Sequence, residues 1–277
     1  MRKGFTLIEL IFVIVITGIL SKFGVELLYK TYDTYITSHM FNKLSNESEM
    51  AVKQLSNRLA NRIKDSTIAR VGTTGAVVPI GSITGTETVL EWIGVDTDGW
   101  STSGAPEWSG LIDLSPVTTS GLATSTTTSL SSPGTNVNTT GALFFIGAPI
   151  DLNNNFGYDG SAVTTQSESI HPVTIAGSAI TSANGSDFTN VDVYEFYQFA
   201  KTAYAVSFEN NQLVLYYDYQ PWDGESMTSG SHAVLVDDVK SFDFATIGDI
   251  LIVQVCLTDN NAAGLGEYSL CKEKTIF

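Results

Sequence analysis

The residues whose types and spacing could do the most specific chemistry lie within the first ten positions. Gly4 follows two basic residues and precedes Phe5, and the apolar run that begins there contains one acidic residue, Glu9. A carboxylate in a membrane-length apolar helix is costly, by about 2.5–3.5 kcal/mol at the bilayer centre. We therefore treat Glu9 as a functional residue that requires a cationic partner.

The segment from Gly4 to Leu10 reads Gly-Phe-Thr-Leu-Ile-Glu-Leu, and with the apolar run after it resembles the class III signal of type IV pilins and type II secretion pseudopilins. This resemblance implies that a prepilin peptidase cleaves between Gly4 and Phe5 and methylates the new amine of Phe5. It also implies that Glu9 meets the Phe5 amine of a neighbouring subunit, since an α-amino group is largely cationic at neutral pH. The implied partners are the peptidase, other pilins or pseudopilins that bind through the N-terminal helix, and an inner-membrane assembly platform.

Two simpler interpretations of this segment are an ordinary secretory signal and a plain membrane anchor. A secretory signal is cleaved after its apolar region, at a site of small residues. The end of the apolar run, Leu20-Ser21-Lys22-Phe23, offers no such site. The sequence therefore favours a prepilin signal.

The charge of the chain is strongly asymmetric. There are 14 Lys and Arg against 29 Asp and Glu; residues 1–70 hold ten basic and six acidic side chains, a net charge of +4, which leaves −19 for residues 71–277. Direct nucleic-acid binding is not expected, because it requires a basic surface. The acidic part suits a head domain in the periplasm or outside the cell.

The apolar stretch 5–28 has 24 residues, and about 20 helical residues are enough to cross a hydrocarbon core of about 30 Å. Arg2 and Lys3 stand at its short end, so the positive-inside rule keeps the N-terminus in the cytoplasm and places the head in the periplasm. We therefore expect a single-pass inner-membrane protein with a leader at 1–4. It would then enter a filament in the periplasm or at the cell surface.

Residues 29–70 are predicted to continue the same helix as an amphipathic half. Small and apolar side chains recur every three or four residues, the pattern of a helix that buries one face, at Leu44, Ser48, Ala51, Leu55, Leu59 and Ile63. A separate coiled-coil seam is the alternative, but the small residues favour packing on a sheet. We expect the helix to end near Arg70, because Gly72 follows.

Residues 71–277 are predicted to form one β-rich head. Short runs rich in Val, Ile, Phe and Tyr are separated by turn residues, at 87–94, 142–150, 191–199, 203–208, 212–219, 233–236, 239–246 and 249–258. Asn210-Asn211 lies between two of these runs and favours a two-residue hairpin turn. Strands and helices do not alternate, so we predict the α+β class: a long N-terminal helical spine packed on an antiparallel β-sheet.

One segment of the head, 115–140, is rich in Ser and Thr and has few side chains to bury. Long loops of this kind are usually functional or disordered. We predict a mobile surface insertion, with a β-edge or a glycosylated decoration as the alternatives.

The chain has two cysteines, Cys256 and Cys271. The predicted topology places both in an oxidising compartment, and pilins often tie down a C-terminal region with a disulfide, so the resemblance implies a bond between them. Such a bond would stabilise the fold by about 3 kcal/mol on the chain-entropy model. Two free buried thiols are the alternative, whereas a metal site lacks further ligands.

One acidic segment resembles the start of a calcium-binding loop, with oxygen ligands alternating at Asp151, Asn153, Asn155 and Asp159. It departs from the EF-hand pattern at the glycine and bidentate-glutamate positions. Asn and Asp are also common in ordinary turns. Calcium is therefore an alternative to a plain loop, and no other cofactor is expected.

The remaining chemistry-bearing residues form no recognisable catalytic motif. The histidines are far apart, at His39, His171 and His232, and there is no nucleophile elbow or His-Glu-x-x-His run. A surface-tethered hydrolase is the enzymatic alternative. We predict a protein that is not an enzyme.

The leading functional prediction is a minor pilin or minor pseudopilin that primes or caps a filament of a type IV pilus or a type II secretion system. Removal of the leader leaves 273 residues (277 − 4), which is large for a bulk filament subunit. The segments 204–219, 233–244 and 249–258 resemble the C-terminal parts of PilW-type minor pilins and J-type minor pseudopilins.

The alternative function is a pilus-tip adhesin or ligand-binding subunit with the same anchor. Its contact surface would be the Ser/Thr-rich insertion or the tryptophans, namely Trp92, Trp100, Trp108 and Trp222. Tryptophans are more often core or loop anchors, so this function ranks second.

Overall fold

A computed structural model describes residues 6–97, 107–115, 123–124, 129–135, 137–150, 156–166, 169–259 and 268–277. Its first element is a single α-helix, α1, Leu7–Ala60, of 54 residues. At 1.5 Å per residue this helix is about 80 Å long. The other described residues form β-strands, short 3₁₀ turns and connecting loops. The fold is α+β, as predicted.

The two parts of α1 differ in burial. Residues 6–32 are all exposed, whereas the C-terminal part buries one face against the head. The buried residues of the helix are Met40, Leu44, Ser48, Ala51, Val52, Leu55, Ser56 and Leu59. Small side chains among them allow the helix backbone to lie close to the strands, so the predicted amphipathic pattern is confirmed for this part.

Helix α1 ends at Ala60, and the prediction that it continues to about Arg70 is wrong. After the helix the chain enters a strand, β1, Ile68–Arg70. Between them the Ile63 N–H donates a hydrogen bond to the Ile93 carbonyl at 2.9 Å. The backbone groups of this segment are satisfied by the sheet, so a further helical turn is not needed.

The described residues contain fifteen strands. Their bounds are β1 Ile68–Arg70, β2 Val78–Pro79, β3 Val89–Val95, β4 Ala123–Thr124, β5 Ser129–Ser131, β6 Asn138–Phe145, β7 His171–Ala176, β8 Ala179–Ser182, β9 Asp192–Val193, β10 Tyr197–Glu209, β11 Gln212–Tyr219, β12 Ser231–Val236, β13 Val239–Ile247, β14 Ile250–Asp259 and β15 Tyr268–Ile276. Short 3₁₀ turns lie at Lys64–Ser66, Ile80–Ser82 and Met227–Ser229.

The strands pair antiparallel in three sheets. The large sheet has ten strands in the order β2-β1-β3-β10-β6-β7-β8-β5, and β11 and β12 are joined to it through β10. Strand β10 belongs to two branches, because its residues 197–200 pair with β6 and its residues 203–209 pair with β11. The second sheet is β13-β14-β15, and β4 and β9 form a two-stranded ribbon.

Helix α1 is part of the main core of the head. The buried side chains of its C-terminal part share one apolar cluster with strands β3, β10 and β11 of the large sheet and with all three strands of the second sheet. The predicted strand 249–258 is β14, the central strand of the second sheet, and it lies against the helix. The helix therefore packs mainly on β14 and β15 of the second sheet and shares its apolar core with the large sheet.

The hairpin between β10 and β11 turns at Asn210 and Asn211, as predicted. Their φ angles are 51° and 59°, the left-handed values that a two-residue type I′ turn requires. Asn adopts this region more readily than most residues, so this turn also fixes the register of the two strands.

The Ser/Thr-rich segment 115–140 is only partly as predicted. Its residues 116–122, 125–128 and 136 lie outside the described residues. Within the rest, β5 pairs with β8 at the end of the large sheet, and Leu130 is buried. The mobile-insertion prediction is wrong for this strand, because Leu130 supplies an apolar anchor; the β-edge alternative describes it correctly.

Candidate functional site

The first turn of α1 holds the acidic residue that the sequence singles out. The Glu9 carboxylate accepts hydrogen bonds from the Thr6 backbone N–H at 3.3 Å and from the Thr6 hydroxyl at 3.0 Å. Thr6 is the N-cap residue, so this arrangement satisfies part of the exposed helix start. The predicted cleavage and methylation residues, Gly4 and Phe5, lie outside the described residues. The pairing of Glu9 with a Phe5 amine stays a prediction.

The surface around Glu9 is apolar and has no contact with the head. In the most apolar 18-residue window of α1 none of the residues is buried, and α1 is the one helix among the described residues that is long and apolar enough to cross a membrane. Further along α1, Glu26 and Lys30 form an exposed ion pair at 3.0 Å. Charged pairs of this kind are expected in the interfacial region rather than in the hydrocarbon core.

Cys256 and Cys271 form a disulfide in the structure. Cys256 on β14 stands directly opposite Cys271 on β15, and their Cα atoms are 4.0 Å apart. The bond therefore joins the edge strand β15 to the central strand of the second sheet. Strand β15 also packs against α1, so the disulfide holds in place a strand that contacts the helix.

The candidate calcium loop is described only at its end. Asp151, Asn153 and Asn155 lie outside the described residues. The Asp159 carboxylate accepts a hydrogen bond from the Ser161 N–H at 2.9 Å, which is the geometry of an Asx turn. In the part of the chain that the structure describes, no group of three or more His, Cys, Asp or Glu side chains is placed to hold a metal ion.

The three histidines lie on separate elements. His39 is exposed on α1 and stacks on Tyr35, and His232 lies on β12 near the ring of Tyr216. His171 is buried on β7. The structure therefore does not bring the three histidines together.

A buried polar cluster in the head is not apparent from the sequence. Arg70 on β1 donates from Nε to a Glu91 carboxylate oxygen on β3 at 2.8 Å, and Tyr219 donates its hydroxyl to the other oxygen at 2.9 Å. Arg70 also donates to the carbonyls of Tyr158 at 2.7 Å and Gly75 at 3.2 Å. Both oxygens of the carboxylate are therefore hydrogen-bonded.

The environment of this cluster shifts the pKa of its members. Burial raises the pKa of Glu91, and the positive charge and hydrogen bond of Arg70 oppose this rise. Burial also raises the pKa of the Tyr219 hydroxyl, as does the nearby negative charge of Glu91. Glu91 interrupts an apolar strand, which was the available signal, but the sequence predicts neither strand β1, which carries Arg70, nor the arrangement that brings Tyr219 of β11 to the same carboxylate. We interpret the cluster as structural, since it links β1, β3 and β11.

Comparison with known proteins adds one match. Residues 1–21 match the model of the prokaryotic N-terminal methylation motif. No curated protein and no solved structure matches the chain.

The motif and the exposed apolar helix together support a type IV pilin-like protein: a pilin-type or pseudopilin-type subunit anchored in the inner membrane. The motif implies processing by a prepilin peptidase and assembly with other pilins. Proteins with this motif are structural subunits rather than enzymes.

Proposed function

We propose that the protein is a minor pilin or minor pseudopilin, which helps to prime or cap a filament assembled from the inner membrane. In this proposal residues 1–4 are the leader and 5–28 cross the membrane. Residues 29–70 lead from the membrane to the head and contribute to its core, and 71–277 form the rest of the head. The N-terminus is cytoplasmic and the head is periplasmic until the subunit enters the filament.

The observation that carries the proposal is the position of Glu9. It is an exposed carboxylate on an exposed apolar helix, and its hydrogen bonds in the described residues come from Thr6 alone. Thr6 is neutral, so the negative charge has no counterion on its own chain among those residues. A methylated Phe5 amine of the next subunit would provide this counterion inside lipid or a filament core, where an unpaired charge is costly.

The size of the head supports a minor role. The head region 71–277 has 207 residues (277 − 70), and its large sheet branches at β10 into a second group of strands, β6, β7, β8 and β5. A head of this width would separate neighbouring helices in a tight helical array. A head at the end of a filament would not separate neighbouring helices in this way.

The adhesin alternative receives less support from the structure. Trp92 and Trp222 are buried, with exposed fractions of 0% and 1%, so neither can be a contact surface. Trp108 is half-buried and packs against Tyr197, and Trp100 lies outside the described residues. Of the four tryptophans, only Trp100 and Trp108 are therefore left as contact residues for the adhesin hypothesis.

The proposal is tested by Glu9→Ala and Glu9→Gln in the native host. We expect both variants to be cleaved after Gly4 and methylated on Phe5, because the peptidase acts before assembly. We expect incorporation into sheared filaments or pseudopili to fall at least tenfold, since loss of a charge-assisted hydrogen bond costs about 1.5–3 kcal/mol. Mass spectrometry of the N-terminus and quantitative blotting measure the two quantities.

Glu26→Gln is the matched control, because it removes another exposed carboxylate from the same helix at its Lys30 pair. This control should be incorporated normally. Normal incorporation of both Glu9 variants would contradict the assembly role. A native protein that keeps Met1 would contradict prepilin processing itself.

A further inference from the structure

Three tyrosines follow the apolar part of α1 at intervals of three residues. They are Tyr29, Tyr32 and Tyr35, the tyrosine band, and their exposed fractions are 64%, 63% and 65%. Positions three apart in an α-helix are neighbours on its surface, so the three rings form one continuous strip. The strip begins directly after Leu28, the last residue of the apolar stretch. The tyrosine band therefore lies at the boundary between the apolar part of the helix and the part that packs on the head.

Several other polar side chains of this segment have their partners within the helix. The Thr31 hydroxyl donates to the Leu27 carbonyl at 2.8 Å, and the Thr34 hydroxyl donates to the Lys30 carbonyl at 2.9 Å. Lys30 also forms its ion pair with Glu26, four residues earlier on the same helix. These internal contacts replace bonds that water would otherwise provide. The segment is therefore suited to an environment that contains little water.

The head reaches α1 immediately beyond the tyrosine band. The hydroxyl of Tyr268, at the start of β15, lies 3.3 Å from the hydroxyl of Thr37 on the helix. Thr37 follows Tyr35 by two residues, which is about 3 Å along the helix axis. The burial of helix residues then begins at Met40. The tyrosine band is therefore the last exposed part of α1 before the base of the head.

The position of the band along the helix matches the thickness of a bilayer. From Leu7, the first residue of α1, the three tyrosines are 22, 25 and 28 residues further on, which corresponds to about 33, 38 and 42 Å. The hydrocarbon core of a bilayer is about 30 Å thick, and the bilayer is about 40–45 Å thick with both headgroup regions. With the N-terminus in the cytoplasmic headgroup region, the band falls in the headgroup region of the periplasmic leaflet.

The chemistry of tyrosine also favours this location. Its apolar ring and polar hydroxyl are enriched at membrane–water interfaces, where the ring lies at the level of the headgroups. A neighbouring pilin helix is the other candidate partner for the band. Close contacts between membrane helices favour small residues, whereas this segment combines three bulky rings with the charged residues Lys30 and Asp33. A lipid partner therefore fits the band better than a second helix.

We propose that the tyrosine band binds the headgroup region of the periplasmic leaflet and thereby sets the height of the head above the membrane. The inference depends on the proposed membrane segment 5–28. The rings lie beside the upper acyl chains, and their hydroxyls donate to ester and phosphate oxygens of the lipids. Because Thr37 and Tyr268 follow at once, the base of the head is held close to the lipid surface. The subunit then presents its head at a defined height before it enters a filament.

The test measures depth in the full-length protein, reconstituted in vesicles of phosphatidylethanolamine and phosphatidylglycerol. One exposed residue of α1 at a time is replaced by a fluorescent reporter, in the variants Phe23→Trp, Tyr32→Trp and Phe41→Trp. Successive reporters are nine residues apart, about 14 Å along the helix. The wild type, whose four tryptophans belong to the head, gives the background. The quenchers are lipids with a nitroxide on the headgroup, lipids with a nitroxide in the middle of the acyl chain, and acrylamide in the water.

We expect each reporter to respond to a different quencher. The Phe23→Trp signal should be quenched mainly by the mid-chain nitroxide, and the Phe41→Trp signal mainly by acrylamide. The Tyr32→Trp signal should be quenched severalfold more by the headgroup nitroxide than by the mid-chain nitroxide.

The reporters also separate failure of this inference from failure of the proposed function. A Phe23→Trp reporter that is not quenched by either nitroxide would contradict the membrane segment itself. Mid-chain quenching of Phe23→Trp, together with quenching of Tyr32→Trp by acrylamide alone, would overturn only the lipid contact of the band and would favour a contact with another subunit. Tyr32→Trp quenched mainly by the mid-chain nitroxide would overturn it as well.

A second experiment tests whether the rings set the height of the head. In the Phe23→Trp protein all three tyrosines are replaced, by Tyr29→Ser, Tyr32→Ser and Tyr35→Ser. Serine favours water over the interface, so we expect the reporter to move toward the periplasmic headgroups by up to one helical turn, about 5 Å. The matched control is Thr31→Ser with Thr34→Ser, which keeps a hydroxyl at two positions of the same segment and should leave the depth unchanged. An unchanged depth in the tyrosine variant would show that the band does not set the height.

Discussion

His171 places an imidazole in the interior of the head. The ring lies 4.6 Å from the ring of Phe145 and 6.3 Å from that of Phe188, as measured between centroids. Its Nδ1 has no hydrogen-bond partner among the described residues. Burial lowers its pKa from 6.5 to about 4, and a hydrogen bond to the backbone of Gln166 partly opposes this shift. The folded protein therefore holds His171 neutral.

This shift predicts a loss of stability in acid. The unfolded chain takes up a proton at His171 near pH 6.5, whereas the folded chain does so only near pH 4. The contribution is therefore complete above pH 6.5 and decreases as the pH falls toward 4. Between pH 7 and pH 4.5 we expect about 2–3 kcal/mol of the free energy of unfolding to be lost through this residue.

Urea unfolding of the wild type and of His171→Phe at the two pH values measures this contribution. Phenylalanine retains a ring between the two aromatic neighbours but does not titrate. It also loses the bond to Gln166, so the informative quantity is the change between the two pH values rather than the stability at either one. The same pH dependence in both proteins would show that another group causes it.

For individual residues, the sequence is most informative about the N-terminal signal, because the chemistry of this signal depends on the order of neighbouring residues along the chain. It does not predict the partners of buried polar residues. Glu91 is visible as a carboxylate in an apolar strand, but Arg70 reaches it only because β1 and β3 pair in one particular register, with Ile68 opposite Glu91.

Among the elements, β15 depends most on a covalent bond. It is an edge strand that pairs with β14 alone in its sheet, and most of its residues are partly or fully exposed. The disulfide between Cys256 and Cys271 ties it to β14 near the middle of the pairing. Without the bond, the pairing of β15 would depend on its ladder and on a few side chains that contact α1.

We predict that replacing both cysteines by alanine lowers the free energy of unfolding by about 3 kcal/mol, the value for a loop of this length. Chemical denaturation with and without a reducing agent measures it. The reductant should destabilise the wild type and leave the double variant unchanged.

The control for this experiment is Gln254→Ala with Glu273→Ala. These two residues are a directly opposed pair two positions away on the same two strands, so the control removes side chains from the same pairing without removing a cross-link. It should change stability by less than about 1 kcal/mol. A wild type that is insensitive to reductant would contradict the prediction.

The elements also show where sequence patterns are sufficient. The strands β10, β11, β13 and β14 have continuous apolar runs and asparagine or glycine turns, and the sequence predicts them to within a few residues or as parts of a longer strand. The strands β1, β2, β4, β5, β7, β8 and β15 lie outside the predicted runs. All of them except β15 have six residues or fewer, too few to show a clear alternating pattern. Strand β15 has nine residues, but three consecutive charged side chains, Lys272, Glu273 and Lys274, obscure its strand pattern.

For the whole molecule, the N-terminal apolar part of α1 makes no buried contact with the head among the described residues. Residues 6–32 bury nothing against the head, whereas the burial in α1 begins at Met40. The surface of α1 therefore changes close to the predicted boundary between its membrane half, 5–28, and its amphipathic half, 29–70, although the helix is continuous across it.

We predict that a chain beginning at residue 29 folds with the same thermal midpoint as the full-length protein, because the removed residues make no contact with the head among the described residues. A chain beginning at residue 49 should lose several kcal/mol, since it lacks Leu44 and Met40; loss of a buried Leu or Met side chain beyond Cβ costs about 2–5 kcal/mol. Thermal unfolding followed by circular dichroism measures both. An equal midpoint for the two truncations would contradict the packing of α1 described above.

The apolar core that α1 shares with the head has a consequence for mechanical load. A pull along the helix axis would reach the head at the buried side chains between Met40 and Leu59. Because these side chains lie along one face of a continuous helix, we expect the load to be spread over many contacts at once. We therefore expect the head to follow its helix as one unit.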